Sequence, residues 1–285
     1  MEELMRIAAI HDISGVGKCS LTVALPVISA SGVECACLPT ALLSTHTGGF
    51  EGFTFKDLSD EMLPIARHWK KEGIVFDGIY SGYLASAKQA EMLEEIIAIL
   101  ANDKTKIIVD PVMADNGRYY SNLGHDMCLA FRRLCGRADI ITPNITEAAL
   151  LTDLPYKEGP HDKEYIESLV KELSKLCSGI IAITGVCPEK DSVGVYAVDT
   201  RTGERSLSVS PAKEGVFCGT GDIFASAFAT LTLRGASLRD AVETATSLVE
   251  ESIGRTVLRG TPRRNGVDFE GALPGYIKRV SELFG

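Results

Sequence analysis

Residues 6–20 read RIAAIHDISGVGKCS. An apolar run is followed by a polar pair, His11 and Asp12, and then by a turn holding Gly15 and Gly17. This is the pattern of a strand that feeds a turn and then a helix, the opening of an α/β unit. Spacing excludes two phosphate-binding motifs. A P-loop needs Gly, four residues, then Gly-Lys-Ser/Thr. Here the position five before Gly17 is Asp12, and the residue after Lys18 is Cys19. A dinucleotide fingerprint needs a third glycine where this chain has Ser20. By itself the segment is a strand-to-helix turn that uses glycine's backbone freedom.

The rest of the chain repeats the unit. Apolar runs predict strands over 6–10, 34–38, 78–80, 106–109, 139–141, 180–184, 193–198 and 206–210. Between them, Met92, Ile96 and Leu100 form one helical stripe, and Ile166, Leu169, Leu173 and Leu176 form another. Pro26 falls inside the first helix and is expected to kink it or delay its start. Two strong helices come late, over 219–233 and 237–253, the second opened by the capping box Ser237-Leu-Arg-Asp240. Alternating strands and helices predict a mainly parallel sheet with helices on both faces, in one domain spanning 1–285. The two late strands, separated by Asp199-Thr-Arg-Thr-Gly-Glu, predict an antiparallel hairpin.

Bulk properties narrow the function. A chain of 285 residues, 45% hydrophobic and 24% charged, is an ordinary globular composition. Net charge is −9 and no long basic run occurs, which argues against a nucleic-acid partner. No stretch approaches the ~20 apolar residues of a membrane span. The start, MEELMRIAAIHD, carries acids and too short an apolar run for a signal peptide. The eight cysteines form no C-x-x-C pair, so reduced thiols in a cytoplasmic setting are expected.

In a sheet of this type, ligands bind beyond the carboxyl ends of the strands. The polar residues there are therefore the candidates. Gly219-Thr-Gly-Asp222 is the sharpest group, because it opens an apolar helix. Free N–H groups converge at such a helix start and make an anion site without any lysine. Asp222 would be a poor phosphate ligand. It reads either as a base for an attacking hydroxyl or as a simple helix cap.

Taken together, GTGD at a helix start, Asn144-Ile-Thr-Glu147 and Asp110-Pro-Val resemble the ribokinase superfamily. Ser44-Thr-His-Thr-Gly48, Ser81-Gly-Tyr83 and the run ITPNITEA (141–148) are similar to its vitamin B6 kinase branch, the pyridoxal kinases. The similarity runs from about residue 6 to about residue 255. It implies a ribokinase-like three-layer αβα fold and transfer of the ATP γ-phosphate to the 5′-hydroxymethyl group of pyridoxal, pyridoxamine or pyridoxine. The resemblance makes Asp222 the base and the N–H groups of Gly219, Thr220 and Gly221 the anion hole. It places His11, Asp12, His46, Thr47 and Tyr83 around the flat ring, and leaves Lys18 as a solvated residue. Asp110, Asp115, Thr142, Asn144 and Thr184 fall at the ATP end. Glu147, Asn144 and Asp110 would organise Mg²⁺, with a monovalent cation such as K⁺ beside Asp110 and Thr142. A homodimer is also implied.

Each residue has a plainer reading. Asn144 and Glu147 have the spacing of a helix capping box. Asp115 could be a solvated loop acid, Thr184 a strand-end hydroxyl and His46 a structural residue. Residues 40–56 are rich in glycine and aromatics and are expected to form a mobile flap; an ordinary surface loop is the alternative. The motif Asp12-x-Ser-Gly-x-Gly17 leans toward the hydroxymethylpyrimidine kinases of thiamine synthesis, the second candidate activity. A vitamer-binding protein without catalysis is the third.

Overall fold

A computed structural model describes residues 4–121 and 123–285; Met1–Glu3 of the N-terminal stretch discussed above lie outside the described residues. The chain begins β1 (Arg6–Ser14), α1 (Leu21–Ala30), β2 (Glu34–Leu43), β3 (Phe55–Asp57), α2 (Ser59–Lys71), β4 (Gly78–Ser81) and α3 (Ala87–Leu100). It continues β5 (Lys106–Val109), β6 (Ala114–Asp115), β7 (Arg118–Tyr119), α4 (His125–Cys135), β8 (Ile140–Ile141), α5 (Ile145–Thr152) and α6 (Lys163–Leu173). It ends β9 (Ile180–Val186), β10 (Ser192–Asp199), β11 (Arg205–Pro211), α7 (Thr220–Leu233), α8 (Leu238–Arg259) and α9 (Leu273–Phe284).

Nine strands form one sheet in the order β11-β10-β9-β8-β5-β4-β1-β2-β3. The six from β9 to β2 in that order pair in parallel. The expected late hairpin is present: β10 pairs antiparallel with both β11 and β9. A second antiparallel edge, β3 on β2, and the small β6–β7 pair carried too few residues to be predicted.

The sheet is covered on both faces. Along β1, Ala8 and Ile10 join a core with Leu93, Phe131 and Leu169, from α3, α4 and α6. Ile7 and Ala9 point the other way, into a core with Val27, Phe228 and Val242, from α1, α7 and α8. Side chains alternate across a strand, so one apolar run feeds both layers. The result is the three-layer αβα arrangement.

Two features of β1 prepare the site. The strand runs to Ser14, past the polar residues expected to end it, because β2 continues alongside as far as Leu43. A bulge between His11 and Ile13 interrupts the register and re-aims the side chains there. The strand order also reverses at β1, which has β2 on one side and β4 on the other. A crevice is expected at such a reversal. Helix α1 starts at Leu21 and runs through Pro26, so the proline does not delay it.

Candidate active site

The cavity at the carboxyl ends of the strands measures about 540 Å³, within the usual range for small-molecule sites. It gathers nearly all of the predicted residues. Asp12, His46, Thr47 and Tyr83 line one end, and Asp110, Asp115, Thr142 and Thr184 line the other with Asn144 and Glu147. Gly219–Asp222 lie in the same wall.

Helix α7 starts as the composition requires. Gly219 holds φ 81° at the N-cap, no side chain caps the helix, and Ile223 N–H is the donor that returns to Gly219 O. A Cβ at Gly219 would sit 2.1 Å from Lys18 O, so only glycine lets the first turn approach. The N–H groups of Thr220, Gly221 and Asp222 precede that first return bond, and these residues line the cavity with Gly219, where a helix start of this kind can take an anion. Asp222 is not a cap. Its Oδ2 accepts the backbone N–H of Ser20 at 3.0 Å. The carboxyl lies deep in the molecule but opens on the cavity, and burial pushes its pKa up to about 7. The Ser20 N–H opposes that rise, and the charge of Asp12 adds to it.

The motif Asn144-x-x-Glu147 is a capping box in full. Asn144 Oδ1 accepts from Thr146 N and Glu147 N, and Glu147 Oε2 accepts from Asn144 N at 2.9 Å. Glu147 Oε1 also accepts from Met113 N at 3.0 Å and Ala114 N at 3.4 Å, while Asn144 Nδ2 donates to Ala114 O. These bonds anchor the 110–115 segment to α5. Burial pushes Glu147 up to about 8 against those three N–H groups. Asp110, buried beside Glu147 and Asp222, is driven well above the carboxylate range by desolvation first and those charges second; only the Thr142 hydroxyl opposes it.

No group of three or more His, Cys, Asp or Glu among the described residues is arranged to hold a metal ion. Mg²⁺ does not need one, because it keeps waters and binds through one or two carboxylates plus substrate phosphates. Asp110 fits that role, with Glu147 behind it as added negative charge, because both Glu147 oxygens already accept backbone N–H groups. Asn144 does not, since its oxygen already serves two N–H groups.

Two expectations are corrected and a third is narrowed. His11 does not face the substrate space. It is fully buried, its ring lies edge-on to Tyr80 at 4.4 Å, and burial lowers its pKa to about 3, so it is neutral. Lys18 is not simply solvated. Its Nζ donates to Val267 O at 3.1 Å and pairs with Glu270 at 2.7 Å. His46 lines the cavity, but both ring nitrogens are used within the protein. Nδ1 accepts from Gly48 N at 2.9 Å, so Nε2 carries the proton and donates to Arg264 O at 2.6 Å. The glycine turn also finds its reason: at Gly17, φ is 115° and a Cβ would fall 1.9 Å from His46 Cδ2.

One wall was missed. Thr246, Val249, Glu250 and Ile253 of α8 line the cavity together with Val193, Val195 and Phe217. Their i, i+3, i+4, i+7 spacing is a second stripe on a helix already assigned a core stripe, and that spacing could have revealed it.

Comparison with known proteins places the chain in a family. The phosphomethylpyrimidine kinase family profile matches residues 23–265. The chain belongs to the phosphomethylpyrimidine kinase family. Two solved structures are similar to this family member over nearly their whole length. The pyridoxal kinase of Lactobacillus plantarum is 31% identical, with 97% of this chain and 98% of that chain aligned at a TM-score of 0.88. A Bacteroides thetaiotaomicron protein, provisionally described as a phosphomethylpyrimidine kinase and crystallised with pyridoxal, is 36% identical, with 96% of each chain aligned at a TM-score of 0.90. Among curated relatives, the thiamine biosynthetic bifunctional enzyme TH1 of Arabidopsis thaliana is 28% identical over 236 residues, 80% of this chain and 42% of that protein. The chain spans less than half the length of two of the curated relatives it matches, 45% and 42%. The fold is that of the ribokinase-like pyridoxal kinases. No helix among the described residues is long and apolar enough to cross a membrane.

Proposed function

We propose that this family member transfers the γ-phosphate of ATP to the hydroxymethyl group of a B6 vitamer, with pyridoxal or pyridoxamine preferred. The observation that carries the reading is the placing of Asp222 directly after an uncapped helix start in the wall of one cavity. A carboxylate there would repel a bound phosphate, and it becomes useful only when an uncharged hydroxyl lies between them.

The acceptor hydroxyl donates its proton to Asp222 as its oxygen attacks the γ-phosphorus. The bond to the β–γ bridging oxygen breaks, and ADP leaves with that electron pair. The N–H groups at the start of α7 stabilise charge on the transferring group. Asp222, pushed up to about 7, is a base matched to neutral pH. Asp110, with Glu147 behind it, would hold Mg²⁺, which supplies charge neutralisation to the phosphates. A monovalent cation beside Asp110 and Thr142 belongs to the same proposal. Thr47 and Tyr83 border the ring, and Asp12, buried with the Ser14 hydroxyl on its Oδ2, meets the ring edge. The 46–50 loop, packed over this end by His46, closes on the bound ring.

A second reading, phosphorylation of hydroxymethylpyrimidine or its monophosphate, is favoured by the family match. The deciding experiment is ATP-dependent phosphate transfer to pyridoxal, pyridoxamine, pyridoxine and hydroxymethylpyrimidine, compared side by side. The highest kcat/KM on a vitamer supports the first reading. Turnover of the pyrimidine alone replaces it with the second. Binding without turnover leaves a vitamer-binding protein.

A further inference from the structure

Two arginines stand next to each other in the short turn Arg263–Asn265, beside two segments whose residues His46–Gly48 and Val216–Cys218 line the cavity. In a chain of net charge −9, both are exposed and neither side chain makes an ion pair among the described residues. Each lies over an aromatic ring instead. Arg263 stacks 4.9 Å from the centroid of Phe217, and Arg264 stacks 5.2 Å from that of Phe50. The two rings belong to different loops. Phe50 sits in the loop that carries His46 and Thr47 over the acceptor end. Phe217 sits two residues before Gly219, at the phosphate end.

The backbone reinforces both contacts. His46 Nε2 donates to Arg264 O, and Gly49 leaves room for Arg264 Cβ. On the other side, a Cβ at Gly215 would occupy the space of the Arg263 guanidinium, 1.1 Å from Nη1. The base of the turn is fixed. Asp268, buried just beyond it, pairs with Arg255 and Arg259 of α8 and donates its N–H to Thr256 Oγ1. Val267 O is held by Lys18. A rigid base thus reaches two loops through two separable side chains. Such cation–π contacts are modest at exposed sites but enough to bias where a loop rests.

We propose that Arg263 and Arg264 are positioning residues for opposite ends of the reaction. Arg264 sets the 46–50 loop over the acceptor through Phe50, and Arg263 sets the 215–218 segment, and with it the anion site, through Phe217. The kinetic part of this proposal rests on the kinase reading above; the contact itself does not.

The test uses Arg264→Met and Arg263→Met, which keep length and remove charge, in the full chain, with amide hydrogen exchange and steady-state kinetics as readouts. In the ligand-free protein, Arg264→Met speeds exchange at 46–54 and leaves 212–218 unchanged; Arg263→Met does the reverse. In kinetics, Arg264→Met raises KM for the acceptor about three- to tenfold with KM for ATP changed less than about twofold, and Arg263→Met raises KM for ATP instead. Arg264→Lys restores most of the loss, and Phe50→Leu adds nothing to Arg264→Met. Parallel rises in both KM values, exchange that spreads to both loops, or additive effects of Arg264 and Phe50 overturn the proposal. If no acceptor is phosphorylated by the unaltered protein, the kinase reading fails and the exchange result alone decides the contact.

Discussion

The Asp222 carboxylate and the Ser20 backbone N–H meet at 3.0 Å across 202 residues of sequence. The bond joins the start of α7 to the end of the glycine turn after β1. Ser20 holds φ 56°, a left-handed conformation that costs a non-glycine residue about 1–3 kcal/mol. In this conformation the N–H points at Asp222, so the turn orients the carboxylate that the proposed reaction uses as its base.

Asp222→Asn tests the role of that carboxylate. Asparagine keeps an oxygen for Ser20 N–H and removes the proton acceptor. Loss of a general base typically costs about 10²–10⁴ in rate. The expected result is a fall of that size in kcat, with nucleotide affinity within about threefold and thermal stability held or raised, since a buried charge is gone. A variant that keeps a tenth of the rate removes Asp222 from proton transfer.

The pH profile follows from the same group. A base must be ionised to act, so kcat/KM for the acceptor rises with pH and reaches half its plateau at about pH 7. The Asp12 charge contributes to that value, so Asp12→Asn moves the midpoint to lower pH. Stopped-flow or coupled-assay rates from pH 5 to 9 check both. A midpoint near the ordinary aspartate value would mean that Asp222 is not desolvated in the working enzyme.

Glu147 links the site to stability. Its folded pKa, about 8, lies above that of an unfolded glutamate, so the folded state holds the extra proton. Its contribution is complete below the unfolded value and is lost as pH rises toward 8. Buried His11, lowered to about 3, works the other way: its contribution is present above its unfolded value of 6.5 and is lost as pH falls below it. From pH 6.5 to 8 His11 is neutral in both states, so Glu147 lowers ligand-free stability by up to about 1.4 kcal/mol per pH unit, and Asp222 adds to the decline up to about pH 7. Urea unfolding of Glu147→Gln shows a flatter slope there. Glu147→Ala, which strands three buried N–H groups, destabilises the protein by about 2–5 kcal/mol.

Much of this was legible from residues whose local chemistry and tertiary role agree. Gly219–Asp222 ahead of an apolar stripe specified the start of α7 in the cavity wall, and Ser237 with Asp240 specified the start of α8. The reading failed where neighbours distant in sequence decide. Polar Asp12 and Ser14 looked like a strand end, but β2 holds them in the sheet. His11 looked like a ligand contact, yet it packs on Gly82, whose Cβ would lie 2.3 Å from its ring, and on Tyr80. Lys18 looked free because Glu270, its partner, is 252 residues away.

Gly17→Ala is the sharpest test of what the opening turn is for. At φ 115° an alanine is strained, and its methyl would land on the His46 ring at 1.9 Å. The backbone has little room to retreat, because Gly17 O packs against Gly266, whereas the His46 ring is held by hydrogen bonds to Arg264 O and Gly48 N. The ring must therefore move, carrying the 46–50 loop away from the acceptor. The expected outcome is a stability loss of about 1–3 kcal/mol and an acceptor KM raised about tenfold or more, with KM for ATP little changed. Adding His46→Ala removes the clash but not the strained φ, so the double variant recovers part of the stability and little of the acceptor affinity. A phosphate-holding turn would behave differently: Gly17→Ala would then raise KM for ATP first, and His46→Ala would not relieve it. Steady-state kinetics on the two single variants and the double variant separate these outcomes.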